Sequence, residues 1–240
     1  MSTRRSFVLV HGAWHGGWCW RDVATLLCGH GHYVTTPTMT GLGERSHLLG
    51  PDITIDTHVD DIVNHLVWND LANVVLVGHS YGGGIVLGVA DRVPERLARL
   101  ILLDAGFLRN GETCMDELAP EVAADRLRLA RETSGGLTLP VPPASAFGGV
   151  TADQGTWLDG LLTPHPLRTY TTPLRLDHPP GNGLPADYIA CTDPAYAVMD
   201  PIWDRVRAAG WPFHELATGH DAMVIAPEET AALLEQVSGG

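Results

Sequence analysis

The sequence contains no lysine: all 15 of its basic residues are arginine, set against 28 acidic ones, for a formal net charge of −13. Without a side-chain primary amine, Schiff-base chemistry and any mechanism built on a catalytic ammonium are excluded. The excess of carboxylates repels phosphate backbones and anionic lipid surfaces, so neither nucleic acid nor membrane is expected as a partner. Cysteine is scarce, with four residues at 19, 28, 114 and 191 and no C-x-x-C spacing. That pattern demands no disulfide framework and points to a reducing, cytoplasmic setting. Long apolar runs are missing as well. The one behind Arg4 and Arg5 covers only Phe7 to Val10, too short for a signal peptide. No segment approaches the roughly 18 apolar residues that a membrane span requires. The glycine-rich stretches lack a phosphate-binding lysine and its spacing. The 12 histidines include no trio at ligand spacing, because His11 and His15 straddle a predicted turn. No metal or other cofactor is expected.

What remains is a globular composition, 45% hydrophobic and 18% charged over 240 residues, enough for one sizeable α/β domain. Short, wholly apolar runs at Phe7–Val10, Val74–Val77, Leu100–Leu103 and 187–191 predict strands buried on both faces, and further strands are expected at 33–36 and 213–217. Between them lie helical patterns at 17–29, 55–71, 82–94, 200–209 and 227–237. This alternation predicts a mostly parallel sheet with helices on both faces and functional groups at the C-terminal ends of the strands. It breaks down between 107 and 185. There two helical patches, 115–132 and 154–162, sit among prolines at 140, 142, 143, 164, 166, 173, 179 and 180. That stretch is expected to form a lid insert on a core built from 1–106 and 186–240.

The chemistry centres on Gly78-His79-Ser80-Tyr81-Gly82, where a buried strand runs straight into a helix. A serine at such a turn is forced into a strained conformation with its hydroxyl clear of both elements. It needs a base. His220 is the candidate, in a loop after the last predicted strand; His79 is expected to buttress the turn instead. The base needs an acid. Asp104 ends the strand after the elbow strand, and Asp193 ends the following one, so both remain open. A developing oxyanion needs donors, and the backbone N–H groups of Ala13 and Tyr81 are placed to supply them. Trp14, Trp157 and Met223 are candidates for lining the substrate pocket.

Three stretches carry a family resemblance: Val8-Leu9-Val10-His11-Gly12-Ala13-Trp14-His15-Gly16-Gly17-Trp18-Cys19-Trp20, the Ser80 turn, and Gly219-His220-Asp221-Ala222-Met223. They resemble the alpha/beta hydrolase superfamily, and within it the branch of plant methylesterases, hydroxynitrile lyases and bacterial esterases. The likeness implies Ser80 as nucleophile, His220 as base, and Ala13 and Tyr81 as the oxyanion hole. Plant methylesterases would place the acid at Asp193, and haloalkane-dehalogenase-like relatives at Asp104. Hydroxynitrile lyases of this branch use a lysine, which this chain lacks. The stretch Thr40-Gly41-Leu42-Gly43-Glu44-Arg45-Ser46-His47 and the compact size are similar to bacterial esterases that cleave methyl carbamates such as carbendazim. The expected activity is hydrolysis of small apolar esters or methyl carbamates through an acyl-enzyme, with a small-molecule substrate as partner and no expectation about oligomeric state. The alternatives are a C–C bond hydrolase or lyase using the same triad, and a non-catalytic small-ligand receptor of the same fold.

Overall fold

The computed structural model describes residues 4–239. In chain order its first half comprises β1 (Ser6–Val10), a 3-10 turn at Gly17–Trp20, α1 (Arg21–Gly29), β2 (Tyr33–Thr35), α2 (Ile55–Trp68), β3 (Val74–His79), α3 (Gly82–Arg92) and β4 (Leu97–Leu103). Segment 107–185 holds a 3-10 turn at Cys114–Glu117, α4 (Pro120–Ser134), β5 (Thr138–Leu139), α5 (Ala152–Asp159), β6 (His165–Pro166) and α6 (Leu167–Thr171). The chain closes with β7 (Ala186–Cys191), α7 (Asp200–Ala208), β8 (Phe213–Leu216), α8 (Ala222–Ile225) and α9 (Pro227–Ser238).

Six strands pair in the order β2-β1-β3-β4-β7-β8, every pairing parallel. Because side chains alternate across a strand, each central strand feeds two cores. Val8, Val10, Leu76, Leu100, Leu102 and Tyr188 face α2, α3 and α7. Phe7, Leu9, Val75, Val77, Ile101 and Ile189 face α1, α8 and α9. Both faces are covered, which is why these strands are apolar throughout rather than alternating.

Local chemistry sets the helix boundaries. Thr54 and Thr57 form a reciprocal capping box that starts α2. Pro120 and Pro227 occupy the first position of α4 and α9, where a missing N–H leaves no bond unmade. Pro120 also divides the helix expected over 115–132, leaving Cys114–Glu117 as a separate turn. The helix expected from Gly17 likewise divides at Arg21. The two-residue strands β5 and β6 pair antiparallel within segment 107–185, a feature too short to leave a periodicity.

Candidate active site

Ser80 stands at the turn between β3 and α3 with φ +53°, in the left-handed region that costs a side-chain-bearing residue of order 1–3 kcal/mol. Three backbone bonds hold it there. Its N–H donates to Leu103 O at 3.3 Å, and its carbonyl accepts from the N–H groups of Gly83 and Gly106 at 3.0 and 2.9 Å. The turn closes only because its flanks lack side chains. A Cβ on Gly78 would stand 2.6 Å from Gly82 O, and one on Gly82 would stand 2.9 Å from His11 O.

His220 comes from the loop between β8 and α8, and Asp104 from the end of β4. His220 Nε2 lies 2.9 Å from Ser80 Oγ, while its Nδ1 lies 2.6 Å from Asp104 Oδ2. An ionised carboxylate only accepts, so Nδ1 carries the proton and the Nε2 lone pair faces the serine hydroxyl. The other carboxylate oxygen, Oδ1, accepts from Trp203 Nε1–H at 3.2 Å and from Cys191 N–H at 3.3 Å, fixing the Asp104 side chain. His220 is only 2% exposed, with the Tyr196 ring 4.6 Å away centroid to centroid. Its carbonyl accepts from His79 Nε2–H at 2.9 Å, so His79 ties the elbow to the His220 loop.

Asp193 stands elsewhere. It is exposed beyond β7, where its N–H donates to Thr218 O at 3.1 Å, and its carboxylate makes no hydrogen bond or ion pair among the described residues. Asp104 and Asp193 end neighbouring parallel strands, and it is Asp104 whose side chain turns back under His220.

Among the described residues neither Ala13 N–H nor Tyr81 N–H has an acceptor within the protein, although both residues are buried. Their peptides are held from behind. His11 Nε2 accepts from Met39 N–H at 3.1 Å, which leaves Nδ1–H to donate to Gly12 O at 2.8 Å. Gly12 O belongs to the same peptide group as Ala13 N–H, so this bond fixes where that amide points. Burial keeps the His11 imidazole neutral, with its pKa lowered to about 3. Trp14 follows at φ +65°, pinned by its N–H to His165 Nδ1 at 3.3 Å and by its carbonyl to Thr163 N–H at 2.9 Å. On the other side, Tyr81 O–H donates to His58 Nδ1 at 2.9 Å, and His58 Nε2–H donates to Thr40 O at 2.8 Å.

A buried charge pair lies directly behind this loop. His15 Nε2 is 3.2 Å from Asp221 Oδ2, and His15 Nδ1–H donates to Ala13 O at 2.7 Å. Burial alone would depress the histidine, but the Asp221 carboxylate outweighs it and raises the pKa. Burial would raise Asp221 in turn, and His15 brings it below the ordinary carboxylate value.

Ser80 and His220 open into a cavity of about 50 Å³ that reaches under segment 107–185. Trp14 and Tyr81 line it, as do Glu117, Arg126, Phe147 and Tyr196, which carried no motif in the sequence. Glu117, Arg126 and Phe147 belong to the insert expected over 107–185, and Tyr196 follows the strand expected over 187–191. Of the expected pocket residues, Trp14 alone lies on this wall. The structure places Trp157 away from this wall, edge-on to Trp18 at 5.2 Å and under the Arg21 guanidinium at 5.4 Å. Met223 is fully buried in the core on the opposite face of the sheet, because α8 turns that side toward α9. Cys114 also lines the cavity, and burial pushes its thiol well up, so it is held protonated.

The sequence profile of the alpha/beta hydrolase family matches residues 7–233. A carbendazim hydrolyzing esterase from Nocardioides sp. (strain SG-4G) is 40% identical over 243 aligned residues, which cover 95% of this chain and 98% of that protein. Among solved structures, an extracellular alpha/beta-hydrolase from a Paenibacillus species superposes with a TM-score of 0.85 at 24% identity, covering 98% of this chain and 99% of the other. The methylesterase MES16 from Arabidopsis superposes with a TM-score of 0.69 at 25% identity, covering 97% and 98%. With its profile match running almost end to end and an esterase aligned along nearly its whole length, the chain belongs to the alpha/beta hydrolase family and is an esterase-type hydrolase of it.

Proposed function

We propose that the chain hydrolyses small carboxylic esters or methyl carbamates through an acyl-enzyme on Ser80. The observation that carries this reading is the continuous relay from Ser80 Oγ through the two His220 nitrogens to Asp104, with spacings of 2.9 and 2.6 Å. Ser80 Oγ adds to the substrate carbonyl as its proton passes to His220 Nε2. Asp104 holds the resulting imidazolium in place through Nδ1–H. The carbonyl oxygen becomes an oxyanion facing the free amides of Ala13 and Tyr81, with the N-terminus of α3 behind the second. Collapse breaks the bond to the leaving alkoxide, which takes the proton from Nε2. Water then attacks the acyl or carbamoyl group as its proton passes to Nε2, and the second collapse breaks the bond to Ser80 Oγ, which takes that proton back from Nε2. Segment 107–185 acts as the lid, presenting Glu117, Arg126, Phe147 and Tyr170 to the cavity.

The 40% identity to an enzyme named for carbendazim, a methyl carbamate, supports including carbamates in the substrate class. A panel of p-nitrophenyl esters and methyl carbamates, with mass spectrometry of the quenched enzyme, tests the reading. Turnover is expected together with an acyl or carbamoyl adduct on the peptide that carries Ser80, and Ser80→Ala is expected to lose both while remaining folded. Full turnover in Ser80→Ala would refute the mechanism.

A further inference from the structure

One ionisable group in the Ser80 cavity has no part in the relay. Glu117, in the turn before α4, has a side chain only 8% exposed and lines the same cavity as Ser80 and His220. Its Oε1 accepts from Phe107 N–H at 2.6 Å. Its Oε2 has no hydrogen-bond partner among the described residues and lies against Gly106, where a Cβ would come within 2.5 Å of it. The N–H of Gly106 donates to the carbonyl of Ser80 at 2.9 Å. A single glycine therefore separates the carboxyl from the nucleophile's own backbone, and a side chain at 106 would have to push the carboxyl aside.

The carboxyl shares its counter-charge with a neighbouring acid. Arg205 of α7 is the nearest cation, but its Nη2 is paired with Glu112 and its Nη1 stays 3.9 Å from Glu117 Oε1. Arg126 of α4 borders the cavity and lies over the Trp14 and Tyr170 rings, at 5.5 and 5.6 Å. Burial pushes the carboxyl up most strongly, the Phe107 N–H and Arg205 draw it partly back down, and the nearby acids Glu112 and Asp116 add to the rise, so the group titrates near neutrality, at about 7. The rest of the wall around it is largely apolar: Leu108, Leu118, Met199 and Ile202. A half-satisfied carboxyl in an apolar wall is costly unless a ligand completes it.

We propose that Glu117 forms a substrate subsite for a nitrogen that carries hydrogen, so that the ester or carbamate cleaved at Ser80 bears an amidine, amino-azole or protonated amine beside Glu117 Oε2. This builds on the hydrolase reading by naming the chemistry of the group next to the scissile carbonyl. A donor that fills Oε2 makes a charge-assisted hydrogen bond, and an isosteric group without N–H leaves the buried carboxyl unpaired. Sites of that kind discriminate by one to two powers of ten or more.

Calorimetric binding of benzamidine, with acetophenone as its donor-free counterpart, tests the subsite without requiring turnover. Wild-type protein is expected to bind benzamidine at least tenfold more tightly than acetophenone. At pH 6 close to one proton is released on binding, read from buffers of different ionisation enthalpy, because the amidinium draws a largely protonated Glu117 into its ionised form. Benzamidine affinity then rises about tenfold between pH 6 and pH 8. Glu117→Gln, which keeps shape and volume, is expected to lose the proton release and to cut the benzamidine-to-acetophenone preference by at least tenfold. A carboxyl that merely anchored Phe107 N–H would move neither readout. Equal affinity for the two probes, the absence of proton release in wild-type protein, or an unchanged preference in Glu117→Gln would each overturn the proposal. The wild-type proton count stands even if the variant fails to fold. Turnover in Ser80→Ala would refute the hydrolytic mechanism and leave the subsite standing, whereas indifference to benzamidine would remove the subsite and leave hydrolysis standing.

Discussion

Lowering the pH from 7 toward 4.5 is expected to unfold this protein, and the buried histidines set the size of the effect. His11 and His58 are fully buried and neutral, with pKa values lowered to about 3 and about 4 by burial. A histidine whose folded pKa lies below its unfolded value of about 6.5 contributes stability at neutral pH that is lost as pH falls toward the folded pKa. At pH 5 each of the two costs about 2 kcal/mol, from about 1.5 pH units at roughly 1.4 kcal/mol per unit. His79 and His165, also buried and shifted well down, act in the same direction. Glu117 opposes them. Its folded pKa of about 7 lies above the ordinary 4.5, so its contribution is complete below pH 4.5 and lost as pH rises through 7. Acidification from pH 7 to 5 thus returns roughly 2 kcal/mol through Glu117, and about 1 kcal/mol more follows below pH 5 before its contribution is complete. Near pH 5, His11 and His58 against Glu117 leave unfolding to take up about one net proton, a slope of about 1.5 kcal/mol per pH unit, and His79 and His165 steepen it. Against a total stability of about 5–15 kcal/mol, that slope brings acid unfolding into the range of mild acid. Urea denaturation at intervals from pH 7 to 4.5 measures it. Glu117→Gln removes the opposing group and is expected to steepen the slope by about 1 kcal/mol per unit. Stability that stays flat or rises on acidification over this range would refute the reasoning.

Two further predictions follow from the loop behind Ala13. Replacing His11 with alanine releases Gly12 O and frees the peptide that carries Ala13 N–H, so kcat on p-nitrophenyl acetate is expected to fall about 10²-fold with KM changing far less; an equal rise in KM at constant kcat would contradict a positioning role. Asp221→Ala leaves His15 Nε2 buried without its partner, so burial drives the imidazole neutral, and the lost bond is expected to cost about 1–3 kcal/mol in urea denaturation at pH 7, whereas no loss of stability would show that the pair does not support the fold.

Much of the sheet was legible because strands covered on both faces must be apolar throughout, and 74–77 and 100–103 allow no other burial. The elbow was legible for a related reason: glycines at 78 and 82 are needed where a Cβ would come within 3 Å of neighbouring backbone. The acid was not. Asp104 and Asp193 end strands that lie side by side, β4 and β7, and only the direction each side chain takes after its strand separates them. Composition also says that an aromatic or methionine will be buried without saying on which face, which is how Trp157 and Met223 come to lie away from the Ser80 cavity. Glu117 and Arg126 reach the cavity by tertiary packing of the insert, and Tyr196 by the course of the loop after β7, neither of which leaves a periodicity to read.

The central claim is that Ser80, His220 and Asp104 act as one unit, and it is tested most directly by kcat for p-nitrophenyl acetate in Asp104→Asn beside Asp193→Asn. The relay predicts a loss of about 10⁴ in Asp104→Asn, since an amide in that place cannot hold the imidazole with its Nε2 lone pair toward the serine. Asp193→Asn is expected to stay within about threefold of wild type, as befits an exposed surface change. A large loss in Asp193→Asn with activity retained in Asp104→Asn would contradict the account.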